Sequence, residues 1–333
     1  MERNEEKQFP RPPRLVASLR AGFDAVATHI SLILFPLALD LFLWFGPHWN
    51  LKALLQPLVT SLGSLPGFDT ADTASLLKAS QQIWQTFIAD FNLAVVMRTF
   101  PVGIPSLMAG QLPTTTPLGT APITHLSTAA SAAFLWLIFV IIGLVAGGIY
   151  FGLVAKATFL DDSALTFAQA GWISLQVILL TVSWVVLLLV ISVPIIFMLS
   201  LVALFSPGVA QIALILVSLF LLWILLPLLF SPHGIFLYRQ NALLSMLTSA
   251  RLVRFILPGT ATFFLAILVI SQGLDLLWQA PPPNSWLALV GIAGHAFITT
   301  GLLAASFVYY RDAMRFVQEF LQRAVASQSR TTT

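Results

Sequence analysis

The chain has 333 residues, of which 58% are hydrophobic and only 9% charged, with a mean hydropathy of +0.92; an ordinary soluble domain carries roughly 25% charged residues, so a soluble globular fold is excluded. The absence of cysteine removes disulfides, thiol nucleophiles, iron–sulfur clusters and Cys-ligated zinc together. The net charge of +3 is small and the basic residues flank apolar stretches, so the pI of about 9.5 reads as membrane topology and gives no sign of nucleic-acid binding.

Residues 1–14 carry Glu2, Arg3, Glu5, Glu6, Lys7, Arg11 and Arg14 with three prolines, the composition of a disordered, solvated tail on the cytoplasmic side. They hold no apolar core followed by a small-residue cleavage site, so no removable signal peptide is expected. From 15 to 24, Leu15, Val16, Leu19 and Phe23 against Arg14, Ser18 and Arg20 suit a short interfacial helix that leads into a first span at about 25–45, with a kink expected at Pro36. Residues 47–128 are too polar to span and too long for a hairpin loop, and are read as a helical extracytoplasmic insert. Leu51, Leu54, Leu55, Leu58, Val59 and Leu62 form the stripe of one amphipathic helix, which Gly63-Ser64-Leu65-Pro66-Gly67 breaks. A second helix is expected from Asp69 or Thr70 to about Thr99, and 101–122, with five prolines, reads as an irregular strap. The whole insert should pack on the membrane portion.

A second span at about 129–155 contains Gly143, Gly147, Gly148 and Gly152, two overlapping small-xxx-small pairs that allow close helix approach and place it in the bundle interior; a dimerisation face is the competing reading. Lys156, Asp161 and Asp162 form the next polar joint, and 165–170 repeats the interfacial phrase. The following 172–205 is apolar throughout, about 50 Å as helix against a ~30 Å hydrocarbon layer. The expected resolution is a third span at 172–193, a turn at Pro194, and 195–205 along the far interface. A fourth span at 209–230 stops at Ser231-Pro232-His233-Gly234. Residues 235–254, with Arg239, Arg251 and Arg254 among evenly spaced leucines, should lie on the membrane surface and meet anionic lipid headgroups. A fifth span at 255–278 and a sixth at 286–310 come next, and 311–333 continue as a charged cytoplasmic helix and tail.

Thirteen of the sixteen lysines and arginines fall on the tails and on the joints after spans two and four; only Lys52, Lys78 and Arg98 fall opposite. The bias predicts a multi-pass plasma-membrane protein with both termini cytoplasmic. A phrase recurs: Leu39-Asp40-Leu41-Phe42-Leu43-Trp44 closes span one, and Leu274-Asp275-Leu276-Leu277-Trp278 closes span five, each followed by a proline. The expectation is therefore an all-α polytopic bundle of six transmembrane helices in three pairs, an internal repeat with each pair introduced by an interfacial amphipathic helix.

Ionisable groups inside spans are costly and are functional candidates by default. Asp40 and Asp275 lie about 5–6 Å inside their tryptophans and either cap loop backbone near the outer headgroups or line a shared outward-facing cavity with Arg98 as counter-charge. His295, within Gly291-Ile292-Ala293-Gly294-His295, falls near the bilayer midplane as a hydrogen-bonded packing group, or as a proton relay or substrate contact. His29, Gln176, Ser183 and Ser192 read as interhelical hydrogen-bond groups, whereas His48, His125 and His233 fall in loops without metal-ligand spacing. There is no His-Glu-x-x-His, Gly-x-Ser-x-Gly or phosphate-loop signature, and the Asp161-Asp162 pair lacks the further aspartates of alcohol phosphotransferases, so no enzyme, metal or cofactor is expected.

Phe255-Ile256-Leu257-Pro258 is similar to the end of the coupling loop of ABC-transporter permeases, but the Glu-Ala-Ala and Gly that complete that loop are missing near Arg239-Gln240-Asn241 and Ser245. The surface helix of the type Ala242-Leu243-Leu244-Ser245 to Arg251-Leu252-Val253-Arg254, leading into a span, resembles bacterial six-span families that include the membrane domain attached to some glycerophosphodiester phosphodiesterases. That resemblance implies a bacterial plasma-membrane protein with three helix pairs and transfers no catalytic residues. Two functions are compatible with it: a non-enzymatic scaffold or envelope-associated protein that meets lipid headgroups and, through its insert, a protein partner; or a permease-like carrier of a lipidic or small amphiphilic substrate with Asp40, Asp275 and His295 along its path.

Overall fold

The structure, a computed structural model, describes residues 12–62, 71–159 and 166–331. The N-terminal tail over 1–11, the expected helix break at 63–67 and the Asp161-Asp162 joint lie outside the described residues. Among the described residues, five helices are long and apolar enough to cross a membrane, or six if one bent pair counts as a single span.

The bent pair comes first. α1 (Leu15–Thr28) and α2 (Leu34–Phe45), joined by a 3-10 turn at Ile30–Ile33, meet at 92°. The bend falls at His29 and not at the expected Pro36, because Pro36 sits in the first turn of α2, where its missing N–H removes no helical hydrogen bond. His29 leaves the helical conformation (φ −120°, ψ 58°), and its N–H closes α1 on the carbonyls of Ala25 and Val26.

Residues 46–128 close on themselves through two short parallel strands, β1 (His48–Asn50) and β4 (Ile123–His125). Between them run α3 (Lys52–Leu62), α4 (Ala71–Asp90), a 3-10 turn at Leu93–Met97, α5 (Met108–Gln111) and the hairpin of β2 (Thr115–Thr116) with β3 (Gly119–Thr120). α4 stops at Asp90, short of the expected Thr99. The Asn50 amide donates to the carbonyls of Ile88 and Ala89 at 3.1 and 2.7 Å, and Asn92 Oδ1 accepts from the amides of Trp49 and Ala94. Those two side chains satisfy the helix end and start the next turn.

The five membrane-length apolar helices all come after residue 128. α6 (Ala129–Phe159) is one continuous run of helix, and α7 (Phe167–Phe205) opens on a capping box of Thr166 and Gln169. α7 then runs unbroken through Gly171 and Pro194 for 39 residues, about 58 Å. Among the described residues, no separate interfacial element precedes Trp172, and there is no turn at Pro194. Proline removes one hydrogen bond from the helix, whereas a turn among apolar side chains would strand several. α8 (Pro207–Leu225) returns directly, capped by Ser206 with Pro207 in its first turn. Past a turn at Leu226–Leu228, the predicted stop at 231–234 is instead the start of a helix, α9 (Ser231–Tyr238), with Pro232 in its first turn. α10 (Ala242–Phe255) is capped by Asn241, and α11 (Leu257–Trp278) begins after Ile256, whose backbone (φ −118°, ψ 34°) is close to that of His29.

α12 (Ala288–Thr331) is the spine. Its Ile292, Ala296, Ala304, Ala305, Phe307 and Tyr310 are wholly buried, and small residues let α1 lie against it at backbone distance. A Cβ on Gly22 would stand 2.3 Å from the Ala305 amide, and one on Gly301 would stand 2.4 Å from the Phe23 ring. Such contacts are how helices gain van der Waals energy where water provides no driving force.

Gly22→Ala is expected to push α1 off the spine and cost about 1–3 kcal/mol, read as a lowered unfolding temperature in detergent; Gly273→Ala, where an added Cβ meets nothing within 4 Å, should leave it unchanged. A second expectation concerns His48, a buried residue whose Nε2 lies 3.3 Å from the Leu43 carbonyl. Burial pushes its imidazole below the ordinary 6.5, with the Leu43 carbonyl opposing the shift. The unfolded chain therefore takes up the proton first on acidification. The stability from keeping His48 neutral is present above about pH 6.5 and lost as pH falls through the lower folded value. Unfolding temperatures across pH 4–8 should fall less steeply on the acid side for His48→Gln than for the unaltered chain.

Candidate functional site: a carboxylate latch and an aspartate–histidine pair

Residues 93–108, expected as the end of a helix and the start of an irregular strap packed on the membrane portion, lie alongside the middle of α6. Gly143 and Gly147 make the room: a Cβ on Gly143 would lie 2.3 Å from the Met97 carbonyl oxygen, and one on Gly147 would lie 2.9 Å from the Gly103 Cα. Met97, Val102, Ile104, Leu107 and Met108 are buried there. Phe100 reaches further, its ring edge-on to Trp184 of α7 at 5.1 Å.

Asp40 holds that segment in place. Its carboxylate is fully buried on α2 and accepts from the Ser106 hydroxyl, from the Leu107 amide at 3.1 Å and from the Met108 amide at 2.9 Å. Ser106 Oγ in turn accepts from the Ala109 amide at 3.0 Å. Together the two side chains satisfy the first amides of α5, the groups a helix start leaves unpaired. Of the two roles open to Asp40 from sequence, the backbone-capping one matches this geometry.

Asp275 and His295 form a pair between α11 and α12, Oδ1 to Nδ1 at 2.8 Å, with His295 buried and the Asp275 side chain 19% exposed. The aspartate fixes which imidazole nitrogen faces it. His295 Nε2 is buried without a hydrogen-bond partner, as is Trp278 Nε1, and the Trp278 ring packs against Gly294 so closely that a Cβ there would be 2.7 Å away. Trp44 Nε1 at the end of α2 donates to the Pro283 carbonyl between α11 and α12 at 2.8 Å, so the helix ends that carry Asp40, Asp275 and His295 meet at one end of the bundle. Arg98 is exposed and makes no ion pair among the described residues, so it is not their counter-charge. Among the described residues no three metal-ligating side chains come together.

The remaining candidates spread out. Arg239, Arg251 and Arg254 are exposed and unpaired with acidic groups among the described residues, Arg239 in a left-handed conformation (φ 52°) that ends α9. Gly148 and Gly152 do not receive the 97–103 backbone; they line an apolar groove of about 380 Å³ between α6 and α7. A second apolar groove, about 500 Å³, lies between α2 and α6 with Met97 and Ile104 in its wall. Neither groove is lined by Asp40, Asp275 or His295.

Sequence reading missed a second polar cluster. His233, expected in a loop, is buried in α9 with Nε2 2.8 Å from Ser306 Oγ and its ring 4.4 Å from that of Phe307. Nearby, Trp184 donates to Ser231 Oγ, Ser245 to the Ser231 carbonyl, and Ser249 to the Pro227 carbonyl. Gln176 Oε1 accepts from the Ala242 amide at 2.9 Å, an interhelical role as expected; Ser183 instead bonds back to the Leu179 carbonyl of its own helix. The available signal was the i, i+4 spacing of Ser245 and Ser249, one face of a helix aimed at a proline-interrupted stretch whose carbonyls lack partners.

No family model, curated protein or solved structure matches the chain. The site stands on its geometry.

Asp40→Ala removes three acceptor contacts from buried donors and is expected to cost about 3 kcal/mol or more. The readout is a lowered unfolding temperature together with new protease cleavage within 93–112. Asp40→Asn, which keeps one acceptor oxygen, should fall between.

Proposed function

We propose that the protein is a non-enzymatic integral membrane scaffold, an envelope-associated component of a bacterial plasma membrane. The observation that carries this reading is that its intramembrane carboxylates serve as internal fastenings: Asp40 answers the 106–108 backbone and Asp275 answers His295. A carrier needs polar groups left available to a passing substrate; here the two aspartates are taken up by the fold.

In this reading both termini are cytoplasmic, as the lysine and arginine bias supports. α1 and α10 are interfacial helices, each turning into a span at a residue of similar backbone conformation, and Arg239, Arg251 and Arg254 meet anionic headgroups. Three helix pairs and the likeness to six-span bacterial families belong to the same proposal. Residues 46–128 are the extracytoplasmic insert, and the exposed apolar face of α4, with Ile83, Trp84 and Phe87, is where a protein partner would dock.

One observation favours the carrier reading: His295 Nε2 is buried without a hydrogen-bond partner. Cysteine labelling separates the two in this cysteine-free chain. Thr299→Cys, one turn beyond His295, and Gln279→Cys, exposed at the end of α11, are treated from outside with a membrane-impermeant maleimide. Labelling at 279 with protection at 299 is expected; rapid labelling at 299 would mean a hydrated path and replace the scaffold with a carrier.

A further inference from the structure

We infer that the groove between α6 and α7 is a binding site for one anionic phospholipid, with an acyl chain along Gly148 and Gly152 and the phosphate on Lys156. The groove holds about 380 Å³, and its lining runs along α6 from Leu144 to Lys156. The twelve helical steps between them are about 18 Å, slightly more than one leaflet of a ~30 Å hydrocarbon layer. That is the depth of a single acyl chain plus the level of its headgroup.

The floor is built by omission. Nothing lies within 4 Å of where a Cβ of Gly148 would be, and the Cβ position of Gly152 meets only the Phe236 ring at 3.9 Å. Ile173 and Val177 of α7 form the facing wall. The other glycine pair on the same helix, Gly143 and Gly147, is filled by protein backbone, so absence of side chains on α6 serves two separate ends.

Charge complementarity names the occupant. Lys156 stands at one end of the groove, exposed and without an ion pair among the described residues. Ser174 of α7 lines the same site. A lysine at the rim of an otherwise apolar slot matches an amphiphile with a long tail and one negative head. The larger groove between α2 and α6 has no charged residue in its lining and offers no such selection.

The inference goes beyond the scaffold reading and does not require it. The full chain, stripped of lipid in detergent, is titrated with phosphatidylglycerol or phosphatidylcholine and examined by native mass spectrometry. One phosphatidylglycerol is expected to be retained roughly tenfold more tightly than phosphatidylcholine, equivalent to about 1.4 kcal/mol. Lys156→Gln should bring the two lipids level. Gly148→Leu, whose side chain grows into open space, should abolish retention of both while leaving the unfolding temperature unchanged; Gly171→Leu, also unobstructed but outside the groove, should bind as the unaltered chain does. Equal retention of the two lipids by the unaltered chain, or unchanged retention by Gly148→Leu, would overturn the site and leave annular lipid only. A Gly148→Leu chain that unfolds early is replaced by Ile178→Trp, an exposed position of α7 in the groove lining that narrows it from the other side and carries the same two outcomes.

Discussion

Backbone that departs from the helical pattern among apolar helices must find partners for its amides within the protein. At 93–108 that requirement falls on one carboxylate. Asp40 supplies acceptors to two amides and a hydroxyl, Ser106 passes the bonding on to Ala109, and the segment can then rest against the bare backbone of Gly143 and Gly147. Much else depends on it. Met97 and Ile104 wall one groove, Phe100 packs against Trp184, and Trp184 donates to Ser231 at the start of α9. The contact between the first span and the segment after it thus extends across the bundle to a helix more than a hundred residues further on.

The same economy governs the other polar contacts. With 9% charged residues, the chain relies on hydroxyls and amides aimed at carbonyls that proline and helix ends leave open. Ser245 and Ser249 bind the carbonyls of Ser231 and Pro227, and Trp44 Nε1 donates to the Pro283 carbonyl at 2.8 Å. Each such bond is modest in free energy, but leaving the same group unpaired in a dry environment costs more than the bond yields. Prolines at 227, 232 and 283 are therefore positions where helices are joined as well as where they end.

Hydropathy made the membrane class legible, along with the approximate place of each apolar helix, because ~20 consecutive apolar residues have few other solutions. The stripe from Leu51 to Leu62 also read correctly as a helix, realised at Lys52–Leu62. The misreadings have identifiable physical reasons. Pro194 looked like a turn, yet a helix surrounded by apolar side chains keeps its remaining hydrogen bonds by continuing. The helix expected to reach Thr99 ends at Asp90, because Asn92 accepts from the Trp49 and Ala94 amides and starts a 3-10 turn at Leu93–Met97 that periodicity does not mark. Asp40, Asp275 and His295 could be singled out from sequence, but the division of labour among them is a matter of distance, and no periodicity encodes that Asp40 faces a loop while Asp275 faces a histidine.

The crossing of α1 over α12 bears on how the protein is made. Gly22 and Ala305 touch across about 280 residues of chain, on the order of tens of seconds of synthesis. Throughout that interval α1 lacks the surface it is shaped to fit. The seat of α1 is consequently completed only when α12 is made, and a chain interrupted before α12 would present α1 with its glycine face bare.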